Sequence, residues 1–108
     1  MSNETVYKRI KASAIPNYMN QPICLIGRID NVSDNRLVID CGDMKVHIKS
    51  IKPSAEEVRV NDFIEARGEA ISDNMLMAHG QNKINNDFNL TAYNKVIDLM
   101  GGCYDDYN

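Results

Sequence analysis

Apolar and polar residues alternate along much of the chain with the period of two that marks a strand buried on one face. The clearest case is residues 44–49. Met44, Val46 and Ile48 share one face there, and Lys45, His47 and Lys49 share the other. Residues 62–70 repeat the pattern, with Ile64, Ala66, Gly68 and Ala70 opposite Glu65, Arg67 and Glu69. The small residues suit the interior of a tight barrel, and the charged ones are expected to face solvent. Earlier, Pro22 opens residues 23–32, where Ile23-Cys24-Leu25-Ile26 predicts a strand covered on both faces and bent at Gly27. Asp34-Asn35 turns the chain into a strand over residues 36–41, and Gly42-Asp43 turns it into 44–49. A fifth strand, residues 75–81, follows the turn Ser72-Asp73-Asn74. Its apolar residues fall on both parities, so its inward face stays open.

The period lengthens after residue 88. Asn89 is placed to cap a helix, with Phe88 before it and Tyr93 four residues after it in the arrangement of a hydrophobic staple. Gly101-Gly102 ends the helix. At about 100° per residue, Leu90, Ala92, Tyr93, Val96, Ile97, Leu99 and Met100 fill an arc of about 180°. Thr91, Asn94, Lys95 and Asp98 take the remainder. A helix resting only on its own barrel needs a stripe of about 100° or somewhat more. The excess predicts a second apolar neighbour, the alternative being a helix sunk deep in its own domain. Leu90, Tyr93, Val96, Ile97, Leu99 and Met100 are the partner-binding candidates, and Tyr93, Val96 and Met100 at the arc's centre are expected to touch both neighbours.

A shorter helical piece is predicted at residues 13–19, with Ser13 as its cap and Pro16 in its first turn. Residues 53–57 read as a loop or single turn. Five short antiparallel strands with flanking helices define an all-β domain. Its predicted form is a small five-stranded OB-fold barrel with a short N-terminal helical turn and a C-terminal α-helix, although other small barrels fit the same pattern. The expected division is a flexible arm over residues 1–11, the barrel over 12–86, the assembly helix over 87–101 and an acidic tail over 102–108.

Composition narrows the function. A chain of 108 residues with 44% hydrophobic and 25% charged residues supports one packed core and argues against disorder. Three cysteines, Cys24, Cys41 and Cys103, form no Cys-x-x-Cys pair, which fits a reducing compartment, cytosol or nucleus. No apolar run reaches the length of a membrane span and the first residues carry no signal-peptide core, so a soluble intracellular domain is expected. Twelve Lys and Arg against fifteen Asp and Glu give a net charge of -3, and the basic surplus usual in an autonomous nucleic-acid binder is missing.

Three stretches carry a family resemblance. They are Arg9-Ile10 through Gln21-Pro22-Ile23-Cys24-Leu25-Ile26-Gly27-Arg28-Ile29; Pro53-x-x-Glu56-Glu57 followed by Phe63-Ile64-Glu65-Ala66-Arg67-Gly68; and Phe88-Asn89-Leu90-x-x-Tyr93-Asn94. In this order and spacing the chain resembles the smallest subunit of replication protein A, the eukaryotic heterotrimer that binds single-stranded DNA, from about residue 9 to residue 100. The loop around Cys41-Gly42-Asp43 and the tail beyond Gly102 are both shorter than in that family. The resemblance implies an OB-fold whose C-terminal helix joins a three-helix bundle with the middle and large subunits, serving DNA replication, repair and recombination in the nucleus. A paralogous trimer at telomeres, or one associated with telomerase, is the alternative.

A third reading is an autonomous single-stranded nucleic-acid module. OB-folds bind oligonucleotides on the face of their second and third strands. That region offers Arg36, Lys45, His47 and Lys49 and no aromatic residue. A stacked base contributes about 1–3 kcal/mol, so the face is either a solvated surface or a weak phosphate contact within a larger complex. His47 is expected to be exposed, His79 to be a satisfied structural histidine and Cys24 to be a small buried hydrophobe. The cysteines and histidines share no metal-ligand spacing, so neither metal nor cofactor is expected. No catalytic motif is present, and Asp40 and Asp43 beside Gly42 read as turn chemistry.

Overall fold

The computed structural model of the chain describes residues 6–33, 36–50 and 58–107. They form strands β1 (Val6–Ile10), β2 (Pro22–Ser33), β3 (Arg36–Asp40), β4 (Lys45–Ser50), β5 (Phe63–Ser72), β6 (Met75–Ile84) and β7 (Cys103–Tyr107), with a 3₁₀ turn at Ala12–Asn17 and the helix α1 at Leu90–Leu99. The sheet runs β3-β4-β6-β5-β2-β1-β7 and closes where β3 also pairs with β2. The length of β2 permits this. Its residues 22–28 pair with β5 and its residues 28–33 with β3. The ring β2-β3-β4-β6-β5 is therefore the five-stranded barrel of an OB-fold. Its strands are not all antiparallel as expected, because a closed ring with an odd number of strands must contain a parallel pair, here β4 with β6. The expected turn at residues 34–35 and loop at 53–57 lie outside the described residues.

Among the described residues, the interior cluster is apolar. Leu25, Ile39, Val46, Ile48, Ile64 and Leu76 are fully buried, and Ala66 and Ala70 face inward as their alternation predicts. Two glycines permit closure. A Cβ on Gly68 would lie 2.0 Å from the Met77 carbonyl oxygen, and one on Gly27 would lie 2.8 Å from that of Asp40. Gly27 thus admits β3 against β2 at the point where β2 passes from pairing with β5 to pairing with β3. The register shift falls later, between Ile29 and Asn31.

Ala12 and Ile15 of the 3₁₀ turn join the core. Ser13 is not its cap. Lys11 holds that position without a side-chain bond, and the Ser13 backbone N–H donates instead to Asp43 Oδ2 at 3.0 Å.

Within the spans expected to be an arm and a tail, the described residues include two strands. Residues 6–10 form β1, which runs parallel to β2, and β7 pairs antiparallel with β1 from Val6↔Tyr107 to Ile10↔Cys103. Tyr7 and Ile10 are buried on opposite faces of β1, so the strand is anchored from both sides.

The outer face of β1, β2 and β5 forms a second, mixed layer. Glu65 and Arg67 point away from the barrel interior, as their parity requires, yet they do not face solvent. Glu65 Oε2 accepts from Arg9 at 2.8 Å and its Oε1 meets Arg67 at 2.9 Å, with side chains only 12% and 21% exposed for Glu65 and Arg67. Arg67 also lies over the Tyr7 ring, 5.8 Å from its centroid. Glu69 on the same face is half-buried. Phe63, Phe88 and Tyr93 continue the layer as two tilted ring contacts, at 5.8 and 5.5 Å.

Candidate assembly helix and nucleic-acid face

The local chemistry of α1 is that read from the sequence. Asn89 accepts from the Ala92 N–H at 2.9 Å, and the Phe88 and Tyr93 rings meet as the staple requires. At the other end Gly101 and Gly102 adopt φ of 86° and 96°, and the Gly102 N–H donates to the Ile97 carbonyl at 2.9 Å. This αL exit satisfies orphan carbonyls that a side-chain-bearing residue would reach only under strain.

Three contacts fix how α1 lies on its own domain. Asn94 Nδ2 donates to the Cys41 carbonyl at 2.9 Å, Lys11 pairs with Asp98 at 3.2 Å, and the turn after β3 comes close enough that a Cβ on Gly42 would sit 2.7 Å from Asn94 Nδ2. The Asn94 tether was invisible in the sequence, where Asn94 simply joined the polar sector. The turn itself is held as expected of Asp40, which accepts from the Gly42 N–H at 2.9 Å.

These contacts divide the apolar arc. Ile97 is 1% exposed, and Leu90 and Tyr93 are half-buried. Val96, Leu99 and Met100 are 53%, 81% and 56% exposed, and Ala92 is exposed beside them. The four exposed residues span an arc of about 100°. Of the residues expected to touch both sides, Tyr93 turns toward its own barrel and Val96 and Met100 turn away from it. Burial pushes the Tyr93 phenol up to about 12, opposed by Arg9. Burial likewise raises the Cys24 thiol to about 12, Glu65 adding to the effect and Arg9 and Arg67 opposing it.

The second candidate surface is the outer face of β3 and β4. The register sets its residues in rows across the strands: Arg36 beside Lys49, Val38 beside His47, and Asp40 beside Lys45. Lys49 and His47 are flanked in turn by Met77 and Met75 of β6. The structure therefore unites Arg36, Lys45, His47 and Lys49 on one face. His47 is half-buried, and its Nδ1 is enclosed without a hydrogen-bond partner, which corrects the expectation of an exposed side chain. His79, by contrast, is exposed on β6. Lys45 bonds Asp30 at 2.9 Å, a contact that raises its pKa, and Arg28 lies 3.8 Å from Asp40. Among the described residues, no group of three or more His, Cys, Asp and Glu could hold a metal ion, and no helix is long and apolar enough to cross a membrane.

A closed five-stranded barrel with a C-terminal helix docked outside it defines an OB-fold protein. The model of the replication factor A protein 3 family matches residues 1–107, and the chain belongs to that family. No curated protein matches it by sequence. Among solved structures, the chain is similar to one from replication protein A of U. maydis bound to single-stranded DNA. The two share 21% identity at a TM-score of 0.77, over 94% of this chain and 93% of the other. It is also similar to the telomere capping protein Ten1 of S. pombe, at 14% identity and a TM-score of 0.78, covering 90% of this chain and 99% of the other. A chain of the S. pombe Stn1–Ten1 complex matches at 14% identity and a TM-score of 0.75, covering 88% of this chain and 91% of the other.

Proposed function

We propose that this chain is a structural subunit, without catalysis of its own, of a heterotrimeric single-stranded-DNA-binding complex in the nucleus. It gives α1 to a three-helix bundle with the middle and large subunits and so serves replication, repair and recombination. The supporting observation is the exposed stripe of Ala92, Val96, Leu99 and Met100 on a helix already docked through Ile97. An apolar flank of this kind on a fixed helix suits the seam of a helical bundle. The net charge of -3 agrees with a chain that meets DNA mainly through its complex.

A second reading, the small OB subunit of a telomere-capping complex, is supported by the likeness to Ten1 over 99% of that chain. One experiment separates the two. The tagged chain is recovered from its own cells and the co-purifying proteins are identified. Replication protein A subunits support the first reading and a telomere-capping partner the second. Val96→Asp and Met100→Asp each place an unpaired carboxylate in the seam and are expected to lose the partners while circular dichroism of the isolated chain is unchanged. Retention of the partners by both variants overturns the assembly role. The isolated chain should bind a ~30-mer negligibly at ~150 mM salt, and sub-micromolar binding by a clean monomer would favour the autonomous module instead.

A further inference from the structure

The four basic residues that share the outer face of β3 and β4 do not form one patch. At the end of the face nearest the turn after β3, every cation has an acid. Lys45 bonds Asp30, and Arg28 lies against Asp40 while donating to Asn61 Oδ1 at 3.3 Å. At the opposite end, Arg36 and Lys49 stand directly across from one another in the ladder, both exposed, and neither has an acidic partner among the described residues. Side chains in such positions have Cβ atoms about 5 Å apart, and like charges there oppose each other unless an anion lies between them. The next row toward the neutral end is Val38, His47 and Met75, all half-buried, where His47 presents the one ring of this β3–β4 face between two apolar neighbours.

The geometry points to a nucleotide-sized subsite, with backbone phosphate held between Arg36 and Lys49 and the attached base lying on the His47 row. This deepens the reading of the face as a weak strand contact and confines that contact to two of its cations, Lys45 being engaged by Asp30. The guanidinium fork of Arg36 matches two phosphate oxygens, and Lys49 adds a compact point charge. Imidazole rings stack on unpaired bases as other rings do, and the flat flanks of Val38 and Met75 extend that support. An acidic peptide would use the two cations but has no need of the ring row. Only two phosphates at most are engaged, so the contact is weak alone and acts on a strand already held by partner subunits.

The test uses the isolated full chain, labelled for nuclear magnetic resonance and titrated with hexathymidylate at ~20 mM salt. Shifts are expected to gather at Arg36, Val38, His47, Lys49 and Met75 and to spare Lys45 and Asp30. The apparent association constant should fall with salt at a logarithmic slope between about -0.7 and about -1.4, the values for one and two single-strand phosphates. Arg36→Ala with Lys49→Ala should remove the shifts and weaken binding at least tenfold, whereas Lys95→Ala, on the polar sector of α1, should change neither. A hexamer of abasic sugar phosphate should still move Arg36 and Lys49 but leave His47 unmoved. Shifts absent at millimolar oligonucleotide, or centred elsewhere, overturn the subsite. Equal binding of hexaglutamate overturns its assignment to nucleic acid, and equal His47 shifts with the abasic hexamer overturn the base platform. Because no partner is present, failure here leaves the assembly role of α1 standing, and Val96→Asp should bind hexathymidylate like the parent chain.

Discussion

The barrel interior and the layer beneath α1 are two cores built on opposite faces of the same strands. The interior takes Ile64, Ala66 and Ala70 from β5 and, among the described residues, its core cluster consists of apolar side chains. The outer face takes Phe63, Glu65 and Arg67 from that same strand, and there a carboxylate sits between two guanidiniums with three rings alongside. Apolar packing depends on volume and tolerates many solutions, whereas an ion network under partial cover depends on every partner being in place. The first region therefore makes the fold stable, and the second fixes β1 and α1 at defined positions on it.

Deleting volume from the interior should produce the largest effect. Ile64→Ala removes a fully buried side chain from the ring, and such truncations cost about 2–5 kcal/mol. For a domain of this size that lowers Tm by about 10 °C or more, read by thermal melting followed by circular dichroism. A loss under 1 kcal/mol would show that the interior is loosely packed and erase the contrast with the outer layer.

Alkali should act on the outer layer through Cys24 and on the barrel core through Cys41, whose thiol burial also raises. The Cys24 thiol titrates at about 12 in the folded chain against 9.0 for its ordinary value. Folding thus retains a proton that the unfolded chain releases above pH 9, so the stabilisation is complete below that pH and is lost as pH rises toward 12. By pH 10.5 the loss is about 2 kcal/mol. Cys24→Ala should flatten the decline in Tm between pH 9 and 11. An unchanged slope would mean that the thiol is not shielded by this layer.

How much of this was legible follows from how far apart the interacting residues lie. The cap, staple and αL exit of α1 each depend on residues within a few positions, and all three could be read from the chain. The interior parity of β5 was equally plain. β1 was not, because Arg9 is neutralised by Glu65, 56 residues away, and a mixed strand of Val6-Tyr7-Lys8-Arg9-Ile10 looks solvated until that partner is found. The candidate nucleic-acid face was legible as a set of cations and illegible as a distribution of charge. Only the register shows that Asp30 and Asp40 occupy one end and leave Arg36 and Lys49 at the other.

Removing the charge at the centre of the outer layer tests whether it positions or merely fills. Glu65→Gln keeps the shape but removes the carboxylate that both Arg9 and Arg67 meet. Loss of a charged partner at a largely covered site costs about 1–3 kcal/mol. Hydrogen exchange should then rise in β1, β7 and α1 while the strands of the barrel ring stay protected. Uniform loss of protection would join the two regions into one cooperative core.

The smallest effect belongs to the far side of the same helix. Leu99 is 81% exposed and Val96 is 53% exposed, so neither contributes much to the packing of α1 on its own sheet. Leu99→Ser creates no cavity and buries no polar group, and changes at such surface positions usually fall within ±0.5 kcal/mol. In the isolated chain Tm should therefore move by a few degrees at most, in either direction. Ile97, Tyr93 and Leu90 on the neighbouring arc carry the apolar part of the helix's docking, and Ile97→Ala should cost several times more under the same conditions. Urea unfolding of the two variants side by side measures the difference directly. If Leu99→Ser destabilises the isolated chain as much as Ile97→Ala does, the stripe is already part of this domain's own core, and it is not held in reserve for a partner.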